Sequence, residues 1–286
     1  MTEFDLPMTA VDEIVTRALA EDIPWGDVTS DNLIPVAQRG VGRIEARQSG
    51  ILAGLPVARA VFAQVDPDLF FEPHCSDGTI LQPGQIVATL RGSLRTLLRG
   101  ERVALNLLQR LSGIATVTDR YVKAVDGYSA RIIDTRKTTP GLRLLERYAV
   151  RVGGGHNHRF CLSDAVLVKD NHLAALRSRG LDLPSAIASL RRTIPHTVTI
   201  EVETETLADV EEALAAKVDA ILLDNMPPAL LADAVRLIDG RAISEASGGI
   251  TLDTVRAVAA SGVDLISVGA LTHSVRSLDL SLEIGV

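Results

Sequence analysis

From about residue 130 onward, apolar β-rich runs alternate regularly with amphipathic helical stretches, and this pattern constrains the fold more than any other feature. The last four apolar runs begin roughly 22 residues apart, a spacing typical of βα units around a parallel sheet and favouring an α/β barrel. The expected strands are residues 130–135, 165–170, 197–203, 220–225, 242–247 and 265–270. The expected helices are residues 206–217, 227–238 and 251–261, the first and third beginning with a threonine suited to N-capping.

The first hundred residues have a different pattern, with an opening helix over residues 11–20 and short, Gly- and Pro-punctuated strands within residues 42–54 and 78–92. We therefore expect a separate N-terminal domain over residues 1–112, a barrel over residues 113–273, and a tail over residues 274–286 that packs on the first domain. A helix over residues 97–111 carries Arg99, Arg102, Asn106 and Gln109 on one face. This helix either buttresses the barrel or presents its arginines to a neighbour.

Charge is distributed unevenly along the chain. Residues 131–172 hold eight Lys or Arg against four Asp or Glu, whereas the whole chain has a net charge of −7. A cationic centre in an anionic protein indicates a pocket for a small polyanion rich in carboxylate or phosphate, because nucleic acid would be repelled by the acidic exterior. Aromatic residues make up only 3% of the chain, which also argues against single-stranded nucleic acid as a partner.

The remaining composition points to a cytoplasmic protein. Only two cysteines are present, Cys75 and Cys161, and no CxxC or Cys/His spacing suggests a disulfide framework or a zinc site. Residues 1–12 contain no apolar signal-peptide core, and no segment approaches 18 uninterrupted apolar residues. We expect a protein that is neither exported nor membrane-spanning.

Each expected barrel strand ends in polar residues, where the chemistry of such barrels is usually found. Arg136 can grip a carboxylate through two parallel N–H bonds, and Lys137 and Lys169 can act as point charges toward carboxylate or phosphate. Any one of these cations could be a solvated loop charge. Three of them at successive strand ends favour anion binding.

Glu203 and Asp224 end adjacent expected strands, where two carboxylates among cations are placed to share a hard divalent ion such as Mg²⁺ brought in by a phosphorylated substrate. Glu201 shares the face of Glu203 because strand side chains alternate with period two. The alternative is that these carboxylates neutralise Lys137 and Lys169 as buried ion pairs, and both roles can hold together.

Two side-chain-poor segments, Ser247-Gly248-Gly249 and Val268-Gly269-Ala270, close the last two expected strands. Their backbone N–H groups could approach phosphate oxygens directly. The glycine-rich loop at residues 153–159 could aim His158 and Arg159 into the barrel mouth. His156 and His158 also resemble a pair of metal ligands, but no third ligand is adjacent in sequence, so anion binding by His158 with Arg159 is favoured.

These motifs together resemble the quinolinate phosphoribosyltransferase family, also called nicotinate-nucleotide pyrophosphorylase (carboxylating). The resemblance covers residues 11–276, and the segments that carry it are EDIPWGDVTS (21–30), GERVALNLLQRLSGIAT (100–116), DTRKTTPGLR (134–143), RYAVRVGGGHNHR (147–159), LVKDNH (167–172), EVE (201–203), ILLDN (221–225), EASGGI (245–250) and SVGALTHSV (267–275).

The resemblance implies an open α/β barrel of the type II phosphoribosyltransferase kind with an N-terminal α/β sandwich domain. It implies a homodimer in which Arg102 is donated across the interface, and it leaves open whether dimers pair into a hexamer. The implied reaction is Mg²⁺-dependent: quinolinate and 5-phosphoribosyl 1-diphosphate give nicotinate mononucleotide, diphosphate and CO₂ in de novo NAD synthesis.

The resemblance also implies roles for individual residues. Quinolinate would be held by Arg136, Lys137, His158, Arg159 and Lys169, with Arg102 of a neighbouring chain. Glu203 and Asp224 would hold Mg²⁺ and the ribose diphosphate, and phosphate would lie near Thr135, Ser247, Gly248, Gly249, Val268, Gly269 and Ala270. The expected catalytic residues are Lys137, Lys169, Glu203 and Asp224, and either lysine could support the carbanion left by decarboxylation.

Three other functions compete with this interpretation. A sister pyrophosphorylase acting on another base should need fewer carboxylate-binding cations. A Schiff-base lyase could use Lys169, since class I aldolases place their amine at the end of an apolar barrel strand. A non-catalytic binding protein on the same barrel is disfavoured by the intact sets of cations and carboxylates.

Overall fold

The computed structural model describes residues 6–285, which form two compact units. Unit 1 contains the described residues up to 119, residues 138–154 and the described residues from 271 onward, and unit 2 contains residues 120–137 and 155–270. Residues 1–5 and 286, which the sequence analysis assigns to the first domain and to its tail, lie outside the described residues.

The described chain alternates between helices and strands. The helices are α1 (Met8–Asp22), α2 (Val28–Leu33), α3 (Leu55–Val65), α4 (Leu94–Ala124), α5 (Arg143–Val152), α6 (Asp170–Ser178), α7 (Leu183–Arg191), α8 (Leu207–Ala215), α9 (Pro228–Ile238), α10 (Val255–Ala259) and α11 (Ala270–His273). The strands are β1 (Arg39–Ala46), β2 (Gly50–Ile51), β3 (Phe70–Pro73), β4 (Ile80–Leu81), β5 (Ile86–Ser93), β6 (Arg131–Ile133), β7 (Val166–Val168), β8 (Ile200–Thr204), β9 (Ala220–Asp224), β10 (Ile243–Ser247), β11 (Leu265–Ser267) and β12 (Leu280–Gly285).

Unit 1 is built on an antiparallel sheet with strand order β12-β1-β5-β3. The C-terminal strand β12 pairs with β1, from Val41 opposite Gly285 to Ala46 opposite Leu280. Apolar side chains from this sheet and from α3 and α4 are buried in the unit, including Ile44, Leu90, Phe62, Leu97 and Leu108. The sheet therefore unites the two ends of the described chain in one core.

Helix α4 is longer than the predicted helix, because the chain from residue 94 to residue 124 contains no proline and keeps an apolar stripe that the core buries. The predicted polar face has two different environments. Arg99 pairs with Asp31, and Gln109 Nε2 donates to the Leu280 carbonyl at 2.6 Å. The Arg102 side chain is 60% exposed and lies 3.6 Å from Glu101.

A buried ion pair ties α5 to α4 within unit 1. The Glu146 side chain is fully buried, and its Oε1 accepts from Arg110 Nη2 at 2.8 Å while its Oε2 accepts from the Thr139 N–H at 3.1 Å. We expect Glu146→Gln to lower the free energy of unfolding by about 2 kcal/mol, because a buried charge-assisted pair loses one partner. Urea unfolding of the full chain measures this.

The matched control is Glu283→Gln, which removes the exposed carboxylate partner of Arg47. It should change the free energy of unfolding by about 0.5 kcal/mol or less, since exposed pairs contribute little. Equal losses in the two variants would show that burial of the Glu146 pair does not matter to stability.

Unit 2 is a parallel sheet with strand order β6-β11-β10-β9-β8-β7. In the described part of the chain no ladder joins β6 to β7, so the barrel is open there. His156 covers the exposed edge of β6 instead, since its N–H donates to Ile132 and its carbonyl accepts from the Asp134 N–H. The structure confirms the predicted α/β class with an open barrel.

The six predicted barrel strands are all present, each shorter than or shifted from the predicted range by a few residues. Thr206 caps α8 as predicted, because its hydroxyl accepts from the Asp209 N–H at 3.2 Å and the Asp209 carboxylate accepts from the Thr206 N–H at 3.1 Å. The third predicted helix was wrong at its start, since Thr251–Thr254 hydrogen bonds form a turn and α10 begins at Val255.

Among the helices that the structure describes, none combines the length and apolar character that crossing a bilayer requires.

Candidate active site

The registers of the parallel strands place the predicted carboxylates on one face of the sheet. Glu203 lies opposite Leu222, Leu222 lies opposite Glu245, and Asp224 lies opposite Ser247. Because strand side chains alternate, Glu201, Glu203, Asp224, Glu245 and Ser247 all point to this face, away from the face of Val202, Leu223 and Ala246. The carboxyl ends of β8, β9 and β10 therefore contribute a shared polar surface.

Glu203 and Asp224 are electrostatically coupled. Burial raises the pKa of Glu203, the charges of Asp224, Asp170 and Glu205 raise it further, and Lys169 opposes them. Lys169 Nζ lies 3.7 Å from Glu203 Oε2, so this carboxylate does have the lysine partner considered as an alternative, but the Lys169 side chain is half-exposed and the pair is not buried as that alternative supposed. Lys169 balances the charge of only one carboxylate, so the negative charge of Asp224 remains beside the pair.

Lys169 and Lys137 extend from the ends of β7 and β6 into more open surroundings. The Lys169 side chain is 51% exposed. Lys169 is also the N-cap residue of α6, and its backbone N–H donates to His172 Nδ1 at 2.9 Å. Lys137 is exposed, and its N–H donates to the Thr135 hydroxyl at 3.1 Å. Both ammonium groups stand at strand ends where a soluble anion can reach them.

Two guanidinium groups converge in unit 2. Burial lowers the pKa of Arg159, and the nearby positive charge of Arg136 lowers it further. Arg159 Nη1 donates to the Ala165 carbonyl at 2.8 Å, which fixes one edge of its guanidinium. Two guanidinium charges near each other are suited to binding a dianion.

The loop that carries Arg159 is anchored by the buried carboxylate of Asp134. Its Oδ1 accepts from the His158 N–H at 2.7 Å, and its Oδ2 accepts from Asn157 Nδ2 at 2.6 Å. Asp134 has no exposed surface. The position of His158 and Arg159 is therefore set by a side chain at the end of β6, as well as by the glycines that the sequence analysis emphasised.

The His158 ring faces two further carboxyl groups. Its Nε2 lies 3.1 Å from Glu201 Oε2 and 3.6 Å from Glu245 Oε2, and its Nδ1 accepts from the Arg159 N–H at 2.6 Å. Burial acts to lower the pKa of His158, but the hydrogen bond to Glu201 and the charges of Glu245 and Glu201 outweigh it and raise the pKa. The sequence analysis placed neither Glu201 nor Glu245 near His158.

The two predicted phosphate turns differ in what their backbones offer. Gly248 and Gly249 have φ values of +96° and +58°, and a Cβ on Gly248 would collide with the Asn225 side chain. Asn225 itself has a φ of 54°, and its N–H donates to the Ser247 carbonyl at 2.9 Å. In the other turn, the Val268 N–H already donates to the Ile133 carbonyl at 3.0 Å.

Comparison with known proteins identifies the family. A model described as "Quinolinate phosphoribosyl transferase, C-terminal domain" matches residues 114–283, and one described as "Quinolinate phosphoribosyl transferase, N-terminal domain" matches residues 27–112. The chain belongs to the quinolinate phosphoribosyl transferase family. This confirms the family resemblance drawn from the sequence motifs.

Individual relatives of this family agree along nearly the whole chain. A protein of Synechocystis sp. named "Probable nicotinate-nucleotide pyrophosphorylase [carboxylating]" is 45% identical, with 97% of this chain and 94% of that protein covered. A Bacillus subtilis protein of the same name is 44% identical, with coverage of 95% and 92%. The crystal structure of NadC from Streptococcus pyogenes has a TM-score of 0.94 and 43% identity, with 99% of each chain covered.

Three residues of this quinolinate phosphoribosyl transferase family member contribute to the site although sequence reasoning gave them no role. Asp134 and Asn157 fix the loop before Arg159, and Glu245 faces His158. The sequence did contain a signal for Glu245. It lies two residues before Ser247 in the same strand, so its side chain is on the same face of the sheet as that of Ser247. No comparable periodicity marks Asn157, which lies in a loop.

Proposed function

We propose that the protein converts quinolinate and 5-phosphoribosyl 1-diphosphate to nicotinate mononucleotide, diphosphate and CO₂, a step of de novo NAD synthesis. Membership of the family supports the reaction, and the named relatives carry the matching printed names. The observation that carries the proposal is the convergence of Arg136 and Arg159 in the same unit as the Glu203 and Asp224 carboxylates. Such a site offers cations to a pyridine dicarboxylate and oxygen ligands to a metal diphosphate.

We assign the quinolinate carboxylates to the cationic residues. Arg136 and Arg159 would bind one carboxylate through guanidinium N–H groups, because planar forks match carboxylate geometry. Lys137 and Lys169 would contribute point charges beside the second carboxylate. His158, whose two ring nitrogens contact Glu201 and the Arg159 N–H, would line this side of the site. Arg102 would be supplied by a second copy of the chain in a homodimer, which its 60% exposed side chain permits.

The sugar diphosphate would bind along the ends of the neighbouring strands β10, β11 and β6. The backbone of the turn Ser247, Gly248 and Gly249 would approach a phosphate. Both glycines have positive φ values, and neither has a side chain that would stand between the backbone and the phosphate. Thr135, Gly269 and Ala270 would line the same region. The Val268 N–H donates to the Ile133 carbonyl, so Val268 would line the phosphate region without donating a hydrogen bond to it.

Mg²⁺ is a suitable ion for the pair of Glu203 and Asp224. Both side chains offer carboxylate oxygens, the ligands that hard divalent cations prefer. Burial raises the pKa of Glu203, and repulsion from Asp224 raises it further. A divalent cation would relieve that repulsion. When bound with the diphosphate, Mg²⁺ would neutralise the negative charge of the leaving group.

The protein's own side chains would promote both halves of the reaction. The cations would hold the two anionic substrates in one site and offset the repulsion between them. Each substrate would then react as if the other were present at a high effective concentration. Glu203 and Asp224 would stabilise the positive charge that develops at the ribose C1 as diphosphate departs. Lys169, which lies 3.7 Å from Glu203, or Lys137 would support or protonate C2 after CO₂ is lost.

The choice of base tests the substrate assignment. With Mg²⁺ and 5-phosphoribosyl 1-diphosphate, we expect kcat/KM for diphosphate release to be at least about 100-fold higher with quinolinate than with nicotinate, because nicotinate leaves the second set of cations without a carboxylate. Phthalate, which has both carboxylates but no ring nitrogen, should inhibit without releasing diphosphate. Faster release with nicotinate would reassign the protein to a sister pyrophosphorylase.

A further inference from the structure

A pair of buried carboxyl groups lies beneath the cations of the barrel. The side chains of Glu201 and Glu245 are 8% and 3% exposed, and one carboxylate oxygen of each lies within 4.8 Å of the other and of a His158 ring nitrogen. In the described chain, Oε1 of each residue is buried and has no hydrogen-bond donor. Two ionised carboxylates buried this close together would repel strongly, and a proton on one of them would relieve the repulsion and supply a donor to the other.

The surroundings of Glu245 determine which of the two groups holds the proton. Its neighbours in the register are the apolar residues Leu222 of β9 and Leu265 of β11. The titratable groups that face it are Glu201 from β8 and His158 from the loop before β7, and the Ser267 hydroxyl of β11 donates to the Ala246 carbonyl at 3.3 Å. Burial and then the Glu201 charge raise the pKa of Glu245 to about 8, against the opposing charge of His158.

The pair acts on the anion-binding cations through one histidine. His158 Nε2 is directed to Glu201 and Glu245, while its Nδ1 accepts the N–H of Arg159. Both ring nitrogens are therefore engaged inside the protein. The ring connects the buried carboxyl pair to the backbone that carries the Arg159 guanidinium.

We propose that Glu245 is a positioning residue whose neutral carboxyl group, hydrogen-bonded to the Glu201 carboxylate, holds the His158 ring and thereby aims Arg159 at a quinolinate carboxylate. The inference rests on the proposed function for the identity of that carboxylate. Neither glutamate touches the substrate in this scheme. Ionisation of Glu245 would place a second negative charge in the pair, so that the two carboxylates that hold the ring repel each other.

The test compares Glu245→Gln with Glu245→Leu. Glutamine is neutral and can donate to Glu201, so Glu245→Gln should keep the quinolinate KM within about threefold at pH 7. Leucine cannot donate, and Glu245→Leu should raise the quinolinate KM by about tenfold or more, with the KM for 5-phosphoribosyl 1-diphosphate within about twofold, since a lost charge-assisted contact is worth that much. Equal quinolinate KM values in the two variants would overturn the proposal.

The pH profile separates positioning from mere structural support. In the natural protein, kcat/KM for quinolinate should fall as the pH rises past about 8, the pKa of Glu245. In Glu245→Gln this alkaline fall should be absent, because the amide does not titrate. Glu72→Gln, which changes an exposed glutamate paired with Arg91, is the matched control and should keep the natural profile. An unchanged alkaline fall in Glu245→Gln would contradict the proposal.

Urea unfolding tests the buried proton without any substrate. A carboxyl whose pKa is raised on folding stabilises the protein below its ordinary value of 4.5, and that stability is lost as the pH rises toward about 8. The urea midpoint of the natural protein should therefore fall more between pH 5.5 and pH 8.5 than that of Glu245→Gln. Equal falls, or a failure of Glu245→Gln to fold, would overturn the proposal. A natural protein without transferase activity would instead refute the proposed function and leave this comparison valid.

Discussion

Asp224→Asn is expected to lower the rate of phosphoribosyl transfer by about 10²- to 10³-fold, the loss typical when one preorganised charge is removed from a transition state. Asp224 and Glu203 lie on one face of the sheet, and their mutual repulsion contributes to the raised pKa of Glu203. On the proposed assignment, removing either charge would remove a ligand for Mg²⁺ and a group that faces the positive charge developing on the ribose. The half-saturating Mg²⁺ concentration should rise together with the fall in kcat.

Initial rates of diphosphate release across a Mg²⁺ titration measure both effects. Asp233→Asn is the matched control, because Asp233 is a half-exposed aspartate that pairs with Arg236 on α9. The control should retain the natural rate and Mg²⁺ dependence. If Asp224→Asn had the same Mg²⁺ requirement as the control and a rate within threefold of it, the assignment of Asp224 to the metal diphosphate would be wrong.

Arg159→Met should lower kcat/KM for quinolinate by about 100-fold, which corresponds to about 3 kcal/mol and to the loss of two charge-assisted hydrogen bonds. Methionine preserves much of the apolar stem, so the loss reports on the guanidinium. Arg136→Met should have an effect of similar size, because the two guanidiniums lie close enough for the charge of Arg136 to lower the pKa of Arg159. The KM for 5-phosphoribosyl 1-diphosphate should change by less than about twofold in both variants.

Equilibrium binding of quinolinate tests the role of the Arg159 guanidinium without turnover. Calorimetry should show weak binding to Arg159→Met and natural binding to Arg177→Met, which changes an exposed arginine paired with Asp209 and Glu212. Natural quinolinate affinity in Arg159→Met would show that this arginine does not hold a substrate carboxylate.

The sequence predicted the barrel well because its signals are local. Runs such as the one before Asp224 are apolar on both faces, as strands buried in a parallel sheet must be, and the structure places β9 at Ala220–Asp224. The N-terminal unit was less predictable. The tail over residues 274–286 was expected to pack on the first domain, but nothing in the six residues of β12 indicates that it pairs with β1, more than 230 residues away.

The site divides in the same way. Strand-end residues such as Lys169 and Glu203 follow directly from the periodicity, and the structure places them 3.7 Å apart. The contacts of His158 with Glu201 and Glu245 depend on how a loop folds over three strands, so no spacing along the chain predicts them. Asp134 illustrates the same limit, because its role depends on the two loop donors that reach it.

The most direct test of the central claim is a single assay with both products followed at once. Purified protein is mixed with Mg²⁺, 5-phosphoribosyl 1-diphosphate and quinolinate labelled with ¹⁴C in the C2 carboxylate, and labelled CO₂ and nicotinate mononucleotide are quantified over time. The account predicts that the two appear in equal amounts and that both depend on the sugar diphosphate. Nucleotide formed without CO₂, CO₂ released without the sugar diphosphate, or neither product would contradict it.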